Sequence, residues 1–184
     1  VTVIGNIANH TRAKDLVTFV KTVNYLVNTL KIKNVCFIQI GKDGKDSEKF
    51  LPLIKEYNLE KYIKILGFVE NAFSLLPQFN IYLMTSEREG GPTSLLEAIY
   101  QKIPIVATKT GIVTEIINNN INGFISEIKD YKDLANNIYT LIENPKLSKN
   151  FSEKSYSVIL DKFTEKQLSE NTLSVYKNVL NKNV

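Results

Sequence analysis

Short, nearly unbroken apolar runs alternate along this chain with longer segments whose apolar positions recur every three or four residues. The runs are VTVI from Val1, VCFIQI from Val35, YIKILGF from Tyr62, IYLMT from Ile81, IPIVAT from Ile103 and GFIS from Gly123. Apolar runs with so little alternation are expected of strands covered on both faces. Between the first two, Leu16, Phe19, Val20, Val23, Leu26, Val27 and Leu30 share one helical face. Helical segments are also predicted at Glu48 to Tyr57, Pro92 to Gln101, Thr114 to Asn118, Tyr131 to Glu143 and Glu165 to Asn181. Strand and helix alternating at this spacing predict an α/β fold, a doubly wound, Rossmann-like parallel sheet of about six strands with flanking helices. From Asn144 onward the pattern is helical only, and Asn144-Pro145 marks a turn within this helical C-terminal tail.

Composition adds bounds to that picture. With 184 residues and 43% hydrophobic content, the chain can bury one sizeable core, and residues 1–184 read as a single domain. No apolar run reaches the ~18 residues of a membrane span, and no secretory pattern opens the sequence. VTVIG starts directly on a strand, which points to a piece of something longer. The net charge of +4 comes from lysines spread over the whole length, without aromatic interleaving or arginine clustering, so no nucleic-acid partner is expected. Cys36 lies in an apolar run and reads as a small buried core residue; a single cysteine excludes an internal disulfide and makes the cytoplasm the natural compartment. His10 reads as a loop residue. With one histidine and one cysteine there is no cluster at metal-ligand spacing, and no metal is expected.

In doubly wound sheets ligands bind where the strands' carboxyl ends run into loops. Three such loops are informative. SEREGGPTSLLEAI, from Ser86, joins a strand to a helix with Pro92 suited to the first helical position. Gly90 and Gly91 then leave the first-turn N–H groups accessible to a phosphate. Glu97, one turn further in, suits a ribose diol, or else completes a Ser94-x-x-Glu97 capping box. GNIANHTRAKDL, from Gly5, sets Arg12 and Lys14 against the positive end of a helix dipole, a preference that a bound anion reverses. IGKDGKDSEKF, from Ile40, is an ordinary strand-to-helix connection. Neither G-x-x-x-x-G-K-[ST] nor G-x-G-x-x-G can be read, so the P-loop and dinucleotide fingerprints are absent.

Together these loops resemble the C-terminal, donor-binding domain of a GT-B-fold glycosyltransferase of family 4, the "glycosyl transferases group 1" class. The resemblance spans roughly Val3 to Glu143. Its most specific part is SEREGGPTSLLEAIYQKIPIVATKTGIVTEII, with two glutamates separated by seven residues, then a Pro-Ile-Val-Ala strand and a Gly-containing loop. It implies half of a GT-B fold whose N-terminal acceptor domain is missing here. It implies catalytic roles for Glu89 on the transferred sugar and for Arg12 and Lys14 on the donor diphosphate. It further implies that Glu97 binds the ribose, that Gly91, Pro92, Thr93 and Ser94 cradle the diphosphate and sugar together with Gly90, and that Gly67 and Phe68 lie near the base, with Gly5 at the mouth of the first loop. Two features depart from the family. Its basic residue commonly follows the first strand glycine more closely and precedes another glycine, whereas Arg12-Ala13-Lys14-Asp15 comes later and lacks that glycine, and Lys102 stands where a glycine often ends the helix. Which of Arg12 and Lys14 is the main diphosphate contact stays open.

The implied activity is transfer of a hexose from a nucleotide-diphosphate sugar, with retention and without a cofactor, to a saccharide or lipid-linked acceptor. The implied setting is bacterial envelope polysaccharide or lipopolysaccharide synthesis. A full-length enzyme using a lipid-linked acceptor would associate peripherally with the inner face of the cytoplasmic membrane. The isolated domain would bind donor but turn over poorly or not at all. Three other readings fit two glutamates in such a loop: a glycosidase acid and base, a non-catalytic sugar-nucleotide module, and a GT-B sugar-nucleotide epimerase.

Overall fold

The computed structural model describes residues 1–181. Six parallel strands form its sheet: β1 (Thr2–Ile7), β2 (Val35–Ile40), β3 (Ile63–Ile65), β4 (Ile81–Met84), β5 (Ile105–Thr108) and β6 (Phe124–Ser126), in the order β3-β2-β1-β4-β5-β6. The helices are α1 (Leu16–Asn24), α2 (Ser47–Glu56), α3 (Thr93–Tyr100), α4 (Val113–Ile116), α5 (Tyr131–Glu143), α6 (Pro145–Lys162) and α7 (Glu165–Asn181).

The apolar runs are most continuous in the inner strands, which feed two cores, whereas the edge strand β3 gives Ile63 and Ile65 to one core and exposes Lys64. In β4, Ile81 and Leu83 join one core with Phe19, Val20, Val23, Phe50, Leu134 and Ile138 of α1, α2 and α5. Tyr82 and Met84 face the other way, onto Leu95, Ala98 and Ile99 of α3, Val113 and Ile116 of α4, and Ile159 of α6. A fully buried Leu, Ile or Phe contributes about 1.5–3 kcal/mol relative to an exposed one, so the period-2 pleat holds both helix layers. The chain runs outward from β1 through β2 to β3, then returns across the sheet to β4 on β1's other side. The β1/β4 boundary is therefore the topological switch point, where the loops diverge and leave a crevice.

Several local details differ from the sequence reading. β1 extends to Ile7, so Gly5 is a buried residue in mid-strand and the first loop begins only after Ile7. A methyl group on Gly5 would collide with the Phe79 ring, so this glycine serves packing and lies outside the loop to which it was assigned. The helical face that includes Leu26 and Val27 ends in a π-type turn, Tyr25–Thr29, which brings both side chains into the core. Pro92 is the residue preceding α3 and not its first member. Cys36 is only partly buried. The helical tail divides into α6, with Pro145 at its first turn, and α7.

Lys102 does adopt the left-handed conformation, φ 55°. Its N–H reaches Ile99 O at 2.8 Å and that of Ile103 reaches Ala98 O at 3.0 Å, closing α3 with the two bonds of a Schellman ending. The backbone cost of about 1 kcal/mol is offset in part by the Lys102 ammonium lying 4.8 Å over the Tyr156 ring.

The packing role of Gly5 has a measurable consequence. Gly5→Ala is expected to lower stability by about 1–3 kcal/mol, seen as a reduced urea midpoint with unchanged slope. Adding Phe79→Leu should recover part of the loss; an unchanged midpoint in the single variant would show that the Phe79 ring moves aside freely.

Candidate functional site at the switch point

The loop between β4 and α3 ends on a helix N-terminus that no side chain caps. Ser94 cannot do so, because it lies inside the helix and is turned down toward the sheet. The buried Tyr82 hydroxyl donates to Ser94 Oγ at 2.8 Å, and Ser94 Oγ donates to the Ile7 carbonyl at 3.3 Å. Burial pushes the Tyr82 phenol well above its ordinary pKa, so it stays a protonated donor. With Pro92 as the preceding residue, Glu97 is the fifth helical residue and not the third, so the Ser94–Glu97 capping box does not form. The half-buried Glu97 carboxylate has no hydrogen-bond or ion-pair partner among the described residues.

The N–H groups of Leu95 and Leu96 both turn to Pro92 O, at 3.0 and 3.2 Å, whereas those of Gly91, Thr93 and Ser94 meet no acceptor among the described residues. A methyl group built on Gly90 or Gly91 meets no atom within 4 Å. Unlike Gly5, these two glycines are not required by packing. Free donors, a bare approach and the positive end of a helix dipole suit an anion.

Across the crevice, Arg12–Lys14 form a single 3-10 turn just ahead of α1. Asp15 closes it at φ 43° and caps α1, accepting from Thr18 N at 3.2 Å and Thr18 Oγ1 at 2.6 Å. Aspartate tolerates left-handed backbone better than most side chains, which explains how it replaces the glycine common at this position. It also supplies the negative charge that offsets Arg12 and Lys14 beside the α1 dipole.

The earlier part of this loop is held by His10, a loop residue as expected but a buried one. Its Nδ1 lies 2.7 Å from Ser47 Oγ and 3.0 Å from Asp43 Oδ1, and its Nε2 lies 2.9 Å from Gln39 Oε1. His10 thus ties the β1 loop to the β2 loop.

The β1 and β4 loops are joined directly. Ala13 O accepts from Glu87 N at 2.8 Å and Arg88 N at 3.4 Å, and Thr85 Oγ1 donates to Lys14 O at 3.1 Å. Lys14 Nζ and Ser86 Oγ both donate to Glu89 Oε1, at 2.7 and 2.6 Å. The Glu89 side chain is only 6% exposed. Its Oε2 has no partner among the described residues, yet is not sealed from solvent. The carboxylate is therefore fixed by one oxygen and offers the other.

The β5 loop braces this arrangement from the far side. Thr108 Oγ1 donates to Ser86 O at 2.6 Å and Thr110 Oγ1 to Glu87 O at 3.2 Å, while Gly111 packs so closely on the Glu89 carbonyl that no side chain would fit. Glu87 pairs with Lys129 at 2.9 Å, and this bond raises the lysine's pKa.

Of the residues singled out in the sequence, Arg12, Lys14, Glu89, Gly90, Gly91, Pro92, Thr93, Ser94 and Glu97 border the switch point. Gly67 and Phe68 follow the edge strand β3, two strands away from β1; Gly67 O accepts from Gly41 N at 2.9 Å, and Phe68 is 71% exposed. Gly5 lies beneath the site as part of the sheet. Sequence reasoning missed Ser86, Thr108 and Thr110, whose hydroxyls order the glutamate loop. Their only signal was the recurrence of Ser and Thr just past strand ends. Among the described residues, no group of three His, Cys, Asp or Glu is arranged to hold a metal ion, and no helix is long and apolar enough to cross a membrane.

Comparison with known proteins gives this geometry a family. Poly(ribitol-phosphate) alpha-N-acetylglucosaminyltransferase of Staphylococcus aureus is 27% identical over 138 residues, covering 74% of this chain and 27% of that protein. The S. aureus TarM crystal structure superposes with a TM-score of 0.86 at 26% identity, over 95% of this chain and 35% of TarM, and a TarM mutant has been crystallised with UDP. The C-terminal domain of the group 1 glycosyl transferase LpcC of Francisella tularensis, at 24% identity and a TM-score of 0.79, covers 89% of this chain and is itself covered to 87%. The chain spans about a fifth to a third of the length of the curated relatives it matches. Its fold is one half of the GT-B architecture expected from the sequence. The family model "Glycosyl transferases group 1" matches residues 1–158, and the chain belongs to that family.

Proposed function

We propose that this chain binds the nucleotide-diphosphate sugar of a glycosyltransferase, with the acceptor bound by sequence outside these 184 residues. The observation that carries this reading is the uncapped start of α3 behind Gly90 and Gly91, facing a glutamate fixed by only one of its oxygens. UDP held by a TarM mutant supports a uridine nucleotide as the first ligand to test.

In this reading the diphosphate lies against the free N–H groups of Gly91, Thr93 and Ser94, with Arg12 and Lys14 as its cations. As the sugar leaves, negative charge grows on the diphosphate, and donors already fixed in place stabilise it without reorganising. Glu89 Oε2 accepts from a sugar hydroxyl, and Glu97, lacking a protein partner, accepts from the ribose diol. Gly67 and Phe68 serve the base from the outer end of the crevice. The transfer is of a hexose, with retention and without a metal or other cofactor. The acceptor is a saccharide or a lipid-linked one, and the setting is envelope polysaccharide synthesis at the cytoplasmic face of the membrane. The chain alone binds donor without appreciable turnover.

Calorimetry with UDP and UDP-N-acetylglucosamine tests the two glutamates separately. Glu97→Ala should weaken both ligands by at least roughly tenfold, the equivalent of one hydrogen bond to a charged group at the low end of its range. Glu89→Ala should remove the preference for the sugar nucleotide over UDP and leave UDP affinity nearly intact. Equal, negligible effects would sink the assignment.

The glycines offer an independent check. Gly91→Ala adds a methyl that touches no protein atom, so the melting temperature should stay put while UDP affinity drops at least several-fold. A variant that binds UDP normally would remove the α3 start from the site.

A further inference from the structure

Lys and Arg number 23 in this chain, and only two of them are arginine, Arg12 and Arg88. They lie far apart in the sequence, so no arginine clustering is legible there. In the fold they line one cavity of about 230 Å³, together with Ala13 and Glu87. The cause is the junction of the two loops: Ala13, next to Arg12, accepts from the backbone N–H of both Glu87 and Arg88. Backbone bonds thus bring two residues of like charge to the same cavity.

Neither arginine has an ion-pair partner among the described residues, and both are exposed. The only acid lining the cavity, Glu87, is turned to Lys129 at 2.9 Å, so its charge is already balanced. Two arginines lining one small cavity suit an oxyanion with several acceptor edges, because a guanidinium fork can donate two parallel hydrogen bonds. A phosphoryl group has those edges and the negative charge that two unpaired cations lack. Lysines, abundant elsewhere in the chain, would supply charge without the fork.

We propose that Arg12 and Arg88 together form a phosphate-binding site beside the Lys14–Glu89 pair, with Arg88 a recognition residue. The site rests on the donor-binding reading for its place in a transfer reaction, but its chemistry stands independently. The phosphate it takes comes from one of two sources, the donor diphosphate or a phosphate carried by the acceptor.

Calorimetric titration of the 184-residue chain with inorganic pyrophosphate, with UDP, and with pyrophosphate in saturating UDP tests the site and identifies the source. Arg88→Ala should weaken pyrophosphate binding by roughly tenfold with an unchanged melting temperature, and Arg88→Lys should restore only part, since an ammonium cannot fork. Lys177→Ala, on the exposed surface of α7, should change nothing. If UDP abolishes pyrophosphate binding and Arg88→Ala weakens UDP by the same factor, the phosphate is the donor's. If pyrophosphate still binds beside UDP and Arg88→Ala leaves UDP affinity intact, it is the acceptor's. The proposal is overturned if the wild-type chain does not bind pyrophosphate, if Arg88→Ala binds it as well as wild type, or if Lys177→Ala weakens it equally. Arg88-dependent pyrophosphate binding in a chain that does not bind UDP would instead overturn the donor reading and leave this one standing.

Discussion

The junction between the β1 and β4 loops is the constraint on which the site depends. One carbonyl, Ala13 O, takes two N–H groups from the facing loop, and the Lys14–Glu89 bond closes above it at 2.7 Å. Hydrogen bonds to charged groups contribute about 1.5–3 kcal/mol, and Lys14, 28% exposed on its side chain, belongs at the lower end of that range. The strength of one bond matters less than its position. It spans the switch point, where the two halves of the sheet diverge and no ladder connects their loops. Thr85, Thr108 and Thr110 extend the tie through three strands, so Glu89 is held from below, from the side and across the crevice.

That arrangement also fixes how charge is distributed. Lys14 has three donors; one is given to Glu89, and the ion pair contributes little net field at a distance. Lys14 keeps two donors for an anion in contact with it, while attraction at a distance falls to the α3 N–H groups and to the arginines, which have no ion-pair partner among the described residues. A positive site whose charges neutralised each other would be stable and useless for binding. Here the Lys14–Glu89 pair orders the site and leaves one carboxylate oxygen and two ammonium donors over, while the unpaired groups beside it carry the net positive charge.

The sheet was legible in the sequence because strands covered on both faces are apolar throughout, and such runs leave few alternatives. Boundaries were less so. β1 runs three residues past Ile4 because Asn6, polar and 1% exposed, continues the ladder and bonds Leu83 O through its side chain at 2.9 Å. A buried asparagine in a strand looks like a loop residue until its partner is seen. The same holds for His10, which pattern placed in a loop but could not place beneath one. Around the glutamates, spacing suggested a capping box that the register of α3 excludes, since the box needs Ser94 ahead of the helix, whereas α3 begins at Thr93 and takes Ser94 into its first turn. Arg12 was legible as a cation beside a helix start, but its meeting with Arg88 was not, because that depends on a tertiary backbone contact.

Glycine shows most clearly where such reading stops. Gly5, Gly90, Gly91 and Gly111 all belong to segments that align with a donor site, and as letters they are equivalent. In the fold, the side-chain position of Gly5 is filled by Phe79 and that of Gly111 by the Glu89 carbonyl, whereas Gly90 and Gly91 face nothing within 4 Å. The first two are glycine because the protein itself comes too close; replacing them acts on stability. The other two have no such reason within the chain, and a bare backbone in mid-loop carries an entropic cost on folding relative to alanine. A cost that folding does not require fits an approach from outside, and the free N–H groups of the following helix turn suit the negative charge of the proposed diphosphate.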